Sequence, residues 1–266
     1  MNSVALSAVD GLRAATKQFI SFYKVGGATR GTDSWVTHFD IAGSPGAGTL
    51  SVGNTAAGTV PTSATAGFPP ITAFAAGATG YLACVNFGAA AVCRYRLFDC
   101  LFRAGAYAFN ANTTLAAQPS YSARLPNGSY AETQLWFEAV TLFTGTPVVT
   151  VTYTNQAGVA GRTTGAITLA SAFKLGRLQQ LPLQAGDTGI QKIDSVTCAT
   201  ASVGTFNLLV FRPLWSGRID LATQYVNDFT ETGLPVVFAD SALYLISNPF
   251  TSGNAEVDVS IVIASA

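Results

Sequence analysis

The chain has 266 residues, with 14 basic, 14 acidic and one histidine, so it is neutral overall and charged at only 11 % of positions. Against the roughly 25 % usual for soluble proteins, this excludes an electrostatic grip on nucleic acid or acidic lipid as the basis of function, and one histidine excludes a multi-histidine metal centre. With a mean hydropathy of +0.35, such a surface offers little repulsion and favours self-association; it reads as a stiff secreted β protein or as a subunit largely covered by neighbours.

Met1–Leu12 lacks a basic start and its apolar run is broken by Ser7 and Asp10, so no secretory leader is expected there. Asp10 can cap a short helix reaching about Phe19, with Leu12, Ala15 and Phe19 at helical spacing. Phe19–Lys24 alternates like a strand, a turn follows through Asp33, and Trp35–Phe39 returns as a strand. Ile41–Gly80 then has eight glycines, four prolines and no charge, yet carries Leu50, Val52, Val60, Phe68, Ile71 and Phe74. Glycine and proline deny it long regular structure, and its apolar content argues against a solvated linker. It reads as an extended arm lying across its own subunit or a neighbour.

Tyr81–Phe87 and Ala91–Phe102 are the next strands. Arg94 and Arg96 share a face of the second, where pairing with acidic side chains across the sheet is expected. The uncharged run Ile71–Cys93 is long enough to cross a bilayer, but its Thr72, Thr79, Asn86 and scattered glycines favour a buried strand entered from a loop. In Tyr130–Phe143 the residues Thr133, Leu135, Phe137 and Ala139 alternate with Glu132, Gln134, Trp136 and Glu138; after Thr144-Gly145-Thr146, Val149, Val151 and Tyr153 alternate with threonines. The pattern predicts a long antiparallel hairpin. Ile190–Ala199 and Thr205–Arg212 look like a further pair. Pro235–Ala239, Ala242–Ile246 and Ala255–Ile263 complete a set of at least eight strands. The expected class is all-β: a jelly-roll-like antiparallel sandwich (residues 81–266) preceded by a short helix, a hairpin and the Gly/Ala-rich arm (residues 1–80).

Sites for chemistry are few. His38 lies in the predicted strand Trp35–Phe39 with no G-x-S-x-G motif elsewhere, and reads as structural or surface. Glu132 and Glu138 are six residues apart on one strand, about 20 Å, too far for a glycosidase pair. Asp187 and Asp194 lack a calcium-loop pattern, and Asp187 reads as a solvated turn acid. Gly46-Ala47-Gly48 has neither the third glycine of a dinucleotide loop nor the lysine of a phosphate loop. Cys84, Cys93, Cys100 and Cys198 match no zinc spacing and read as free thiols, which suits cytosolic synthesis. Trp136, on the polar face of its strand, is the anomaly: it is core, an inter-subunit contact or a sugar-stacking platform. No catalytic residue, cofactor or metal is expected.

Three segments together resemble a family: YLACVNFGAAAVCRYRLFDCLFRAGAYAF (Tyr81–Phe109), LWFEAVTLFTGTPVVTVTYTNQAGVAGRTTG (Leu135–Gly165) and LQAGDTGIQKIDSVTCATASVGTFNLLVFRPL (Leu183–Leu214). Their strands and turns are similar to virion structural proteins of tailed double-stranded-DNA bacteriophages, above all the capsid decoration or cement proteins. The resemblance implies a non-enzymatic jelly roll assembling as a homotrimer on the major capsid protein, located on the capsid surface. The alternative is a phage tail or receptor-binding, carbohydrate-binding module. In the assembly reading, Trp35, Leu50, Val52, Phe68, Phe74, Trp136 and Arg162 are the interface candidates, and neither nucleic acid nor membrane is a partner.

Overall fold

A computed structural model of the chain describes residues 9–24, 33–89, 91–169, 174–198, 200, 202–221, 223–250 and 257–266. Its elements begin with α1 (Val9–Ala14), β1 (Thr16–Lys24), β2 (Trp35–Thr37), β3 (Gly43–Ser44), β4 (Asn54–Thr59), β5 (Gly80–Gly88) and β6 (Cys93–Ala108). β7 (Thr113–Thr114), β8 (Gln134–Ala139), β9 (Val148–Asn155), β10 (Arg162–Thr163), β11 (Ile167–Thr168) and β12 (Arg177–Leu181) follow. The last are β13 (Ile190–Cys198), β14 (Thr205–Ile219), β15 (Gln224–Asn227), α2 (Phe229–Thr232), β16 (Val236–Val237), β17 (Leu243–Pro249) and β18 (Val257–Ser265).

The chain is an all-β, antiparallel, sandwich-like fold in three layers. The middle layer closes on itself. Its strands run β14-β8-β12-β2-β17-β6, β6 pairs back onto β14, and β4 hangs from β6. One outer layer is the sheet β15-β5-β18-β1-β3 with β16 on β5; the other is β10-β9-β13-β7 with β11 on β9. Three apolar cores follow from this layering. Phe98, Trp136, Leu178, Leu209, Phe211, Tyr244 and Ile246 fill the barrel. Leu135, Phe137, Phe206 and Leu208 pack outward against Val149, Val151, Tyr153, Ile193 and Val196. Tyr95, Leu97, Trp215 and Leu245 pack against Phe22, Val85, Phe87, Val259 and Ile261 on the other side. Barrel strands are therefore covered on both faces, which is why Leu97–Ala104 stays buried almost without alternation.

The long ribbon β6–β14 serves both outer layers. Register shifts at Phe206/Leu208, Val210/Phe211 and Pro213/Trp215 bend it. A bulge sharpens the local twist, and here it lets Leu101 and Phe102 face one outer sheet while Tyr95 and Leu97 face the other.

Two predicted hairpins are not hairpins. β8 pairs with β12 and β14, whereas β9 pairs with β13, β10 and β11. The apolar faces of β8 and β9 point at the same core from opposite layers, so the chain arches between sheets instead of folding back edge to edge. The same holds for β13 and β14, which lie in different sheets. Alternation fixes which side of a strand is buried, not what lies beside it. The N-terminal helix also ends sooner than expected. α1 stops at Ala14, and Phe19 sits mid-strand in β1, which pairs with β18 from Thr16↔Ser265 to Lys24↔Val257. A full-length partner strand outweighs three apolar residues at helical spacing.

The arm lies on its own subunit. Leu50 and Phe68 are buried in the barrel core, Phe68 with its ring 4.8 Å from Phe39. Long side chains of the body take up its backbone carbonyls. Arg103 donates to Thr49 and Leu50 (3.2 and 3.1 Å), Asn207 to Leu50 (2.7 Å), and Arg124 to Pro61. Gln18 bonds both backbone groups of Thr72 (2.7 and 2.8 Å), and the buried Lys24 ammonium donates to Ile41 and Pro45 (3.0 and 2.5 Å). This is how a segment with little regular structure keeps its polar groups paired. Among the described residues before Tyr81, β1 lies within an outer sheet and β2 closes the barrel.

Candidate functional site

β8 turns Gln134, Trp136 and Glu138 into the barrel. The face that looked polar in the sequence is an interior one, and Trp136 is completely buried by its own chain among Trp35, Phe98 and Phe211. Glu138 is also fully buried. It accepts from the Tyr244 hydroxyl and from Asn207 Nδ2 (2.7 Å), with the Arg103 guanidinium 3.9 Å away. Thr37 Oγ1 donates to the Tyr244 oxygen at 2.6 Å. Burial pushes the Glu138 carboxyl above its ordinary value, partly offset by Arg103 and the two hydrogen bonds. Asp40 lies near enough to add a like charge to this network, and no surface of Glu138 meets water. The hydrogen bonds of Glu138 tie three strands of the barrel together.

At the open end of the barrel the same inward faces continue to Arg96, Gln134 and Gln180. The Arg96 guanidinium lies 4.6 Å from the ring centroid of Trp35 and 5.9 Å from that of Trp136, and Gln134 accepts from Trp136 Nε1 at 3.0 Å. Burial, reinforced by Arg94, works against the charge of Arg96. Among the described residues no carboxylate pairs with it. Arg94 and Arg218 stand opposite each other on β6 and β14, both over the Phe250 ring, and Arg218 pairs with exposed Asp220 at 2.6 Å. The expected acidic cross-strand partners of Arg94 and Arg96 are thus replaced by aromatic rings.

Three adjoining openings form a trough here. The first, about 260 Å³, is lined by Trp35, Arg94, Arg96 and Arg218. It shares Arg96 and Ser216 with the second, about 470 Å³, which also takes in Gln134, Gln180, Pro213 and Glu231. The third, about 500 Å³, shares Gln134, Gln180 and Pro213 and ends at Glu132 and Thr188. β8 accompanies β14 only from Phe206↔Ala139 to Phe211↔Gln134. Beyond it, Pro213–Ile219 has β6 as its only strand neighbour among the described residues.

A second surface lies on the outside of the sheet containing β1. Phe19, Ser21 and Tyr23 stand beside Val262, Ser260 and Asp258 of β18, with Phe19 80 % and Tyr23 44 % exposed. Lys17 and Asp258 are the only charges these two strands place on that face.

The interface candidates read from the sequence fall into two groups. Trp136, Leu50 and Phe68 are interior and meet residues of their own chain, which leaves no surface for a neighbour or a sugar. Trp35, Val52 and Phe74 are half-buried. Arg162 is held by Asp187 through Nε at 2.9 Å. Asp187 is no free turn acid: Tyr153 and Asn155 also donate to it (2.8 and 2.7 Å), and with Arg162 they hold its carboxyl down at about 2. His38 is buried with Nε2 2.6 Å from Ser247 Oγ. The cysteines are unpaired thiols, and burial pushes Cys93 and Cys198 up to about 11 and Cys100 to about 12, which leaves them poor nucleophiles. Among the described residues no group of three metal-ligating side chains occurs, and no helix is long and apolar enough to cross a membrane. Of the uncharged run Ile71–Cys93, Gly80–Gly88 is β5 and Cys93 opens β6. Sequence reading passed over the buried Asp99, which receives Arg124, Arg212 (3.1 Å), Ser241 (2.7 Å) and the Ala242 N–H (3.0 Å); these partners are distant in sequence, and no local spacing signals them.

No family model and no curated protein sequence matches the chain. Among solved structures, the VP2 subviral particle of infectious bursal disease virus aligns over 94 % of this chain and 80 % of its own, at 10 % identity and a TM-score of 0.20. The Gx strain of the same virus aligns over 95 % and 80 %, at 8 % identity and 0.18. Superpositions this loose carry no argument about fold or role.

Proposed function

We propose that the chain is a non-enzymatic structural subunit of a virion, a cement protein that binds and stabilises a capsid shell as a homotrimer. The observation that carries this reading is the outer face of β1 and β18, where Phe19 stands 80 % exposed beside Val262 with one charge of each sign at the margins. An aromatic side chain so placed on a regular sheet is stabilised by burial against another surface, at about 25 cal/mol per Å² covered. The low charge of the whole chain acts in the same direction. The likeness of Tyr81–Phe109, Leu135–Gly165 and Leu183–Leu214 to bacteriophage virion proteins supplies the setting: synthesis in the host cytoplasm and a place on the capsid exterior.

The interior supports a structural role as well. Glu138, the carboxylate with the most unusual surroundings, is sealed inside the barrel. Trp136 has no exposed ring for a sugar to stack on; of the two platforms the carbohydrate-binding alternative calls for, Trp136 and Tyr130, only the half-buried Tyr130 reaches the surface. Co-sedimentation with purified capsid shells of tailed phages lacking their decoration protein tests the proposal. Saturable binding in multiples of three, raising the temperature at which the shells release DNA, is expected. Failure to bind any such shell, with the protein folded, overturns it.

A further inference from the structure

We propose that the trough at the barrel mouth binds an extended, acidic peptide segment of a partner protein, with a carboxylate seated on Arg96. This goes beyond the virion reading and does not depend on it. Arg96 is placed before any ligand arrives: its guanidinium carbon lies 4.6 Å from the Trp35 ring centroid and 5.9 Å from that of Trp136, and no carboxylate of the described chain pairs with it. The rings restrain the guanidinium, whose N–H groups suit a two-point hydrogen bond to a carboxylate. Arg94 and Arg218 line the same opening and add positive potential, moderated by Asp220 on Arg218.

The remainder of the trough suits a polypeptide. Pro213–Ser216, on the stretch of β14 that β8 leaves unaccompanied, forms part of its wall. An unpaired strand edge takes an added strand through main-chain hydrogen bonds. Gln134 and Gln180 place amide groups, able to donate and accept, along the path. A saccharide would need a free aromatic face, but Trp35 is covered by Arg96 and Trp136 is wholly buried. A nucleic acid would meet Glu231 and Glu132 further along. Those carboxylates also give the segment a direction, with its acidic residue at the Arg94–Arg96–Arg218 end.

The test is selection of a displayed random-heptapeptide library on the immobilised full chain and on Arg96→Gln, followed by fluorescence-polarisation titration of the selected peptide. Enrichment of Asp or Glu at one fixed position is expected on the wild type. Affinity should fall about tenfold or more in Arg96→Gln, since a charged hydrogen-bonded pair is lost, and less in Arg96→Lys. It should be unchanged in Lys192→Gln, on the other outer sheet. Arg94→Gln and Arg218→Gln lie outside the packed interior and should each weaken binding several-fold, which keeps the test decisive if Arg96→Gln unfolds. Selection without acidic enrichment, equal affinity across the arginine variants, or Arg96-dependent binding of a hyaluronan hexasaccharide in place of peptide overturns the proposal.

Discussion

Asp99→Asn isolates the interaction on which the junction of arm, ribbon and loop depends. Asp99 is fully buried and neutralises two nearly buried guanidiniums, Arg124 and Arg212. Arg124 also reaches the carbonyls of Pro61 and Cys100, and Arg212 that of Val236 (2.9 Å). The amide keeps shape and volume but leaves two like charges facing each other away from water. Removing one partner of a buried ion pair costs about 3–5 kcal/mol. For a chain of 266 residues, an unfolding entropy of about 2.1 cal/mol/K per residue gives about 0.56 kcal/mol/K. The expected fall in Tm is therefore about 5–9 °C by calorimetry. Arg124→Met in the Asp99→Asn background should recover part of the loss, whereas Arg124→Met alone should not stabilise. A fall below about 1 °C for Asp99→Asn, or additive effects in the double variant, would refute the reasoning.

Trp136→Ala should cost about 3–5 kcal/mol by emptying part of the barrel without altering the oligomeric state; a changed sedimentation coefficient at full stability would contradict the interior assignment. Glu138 has its carboxyl raised by burial, so the folded state binds its proton more tightly than the unfolded chain, and stability declines as pH rises from the unfolded value through the folded one. Glu138→Gln should remove that decline from the stability–pH profile measured by urea titration, and an unchanged profile would count against it. Asp187, held at about 2 by Arg162, Asn155 and Tyr153, contributes stability above its unfolded value near 3.8 that disappears as pH falls through about 2. The stability–pH profile of Asp187→Asn should therefore lack the wild-type slope between about pH 4 and 2; an unchanged slope would contradict the assignment.

The strands were legible in the sequence and their partners were not. Leu135, Phe137 and Ala139 announce a buried face, as do Val149, Val151 and Tyr153. Nothing in either segment says that the two faces meet across a layer and not side by side. Trp136 looked anomalous because its neighbours Gln134 and Glu138 suggest solvent. In the fold they point into a closed barrel where Asn207 of the adjacent strand and Arg103 and Tyr244 of β6 and β17 meet Glu138. The apolar residues of the arm signalled an ordered segment, and Leu50 and Phe68 are indeed core; the arginine, lysine and amide side chains that hold its carbonyls come from elsewhere in the chain. Arg94 and Arg96 were visible as a pair, but their aromatic partners Phe250 and Trp35 enter from other strands and loops. Only closure of the barrel turns them into the wall of a trough.

In the proposed virion role the chain associates through the outer face of β1 and β18, and sedimentation equilibrium at micromolar concentration, comparing the wild type with Phe19→Asp, decides this. Phe19 is 80 % exposed and makes little contact with its own chain, so the variant should fold and melt like the wild type. A trimeric wild type of three times the 27.5 kDa chain mass and a monomeric Phe19→Asp are expected. A wild type that stays monomeric, or a trimer indifferent to Phe19→Asp, would contradict it.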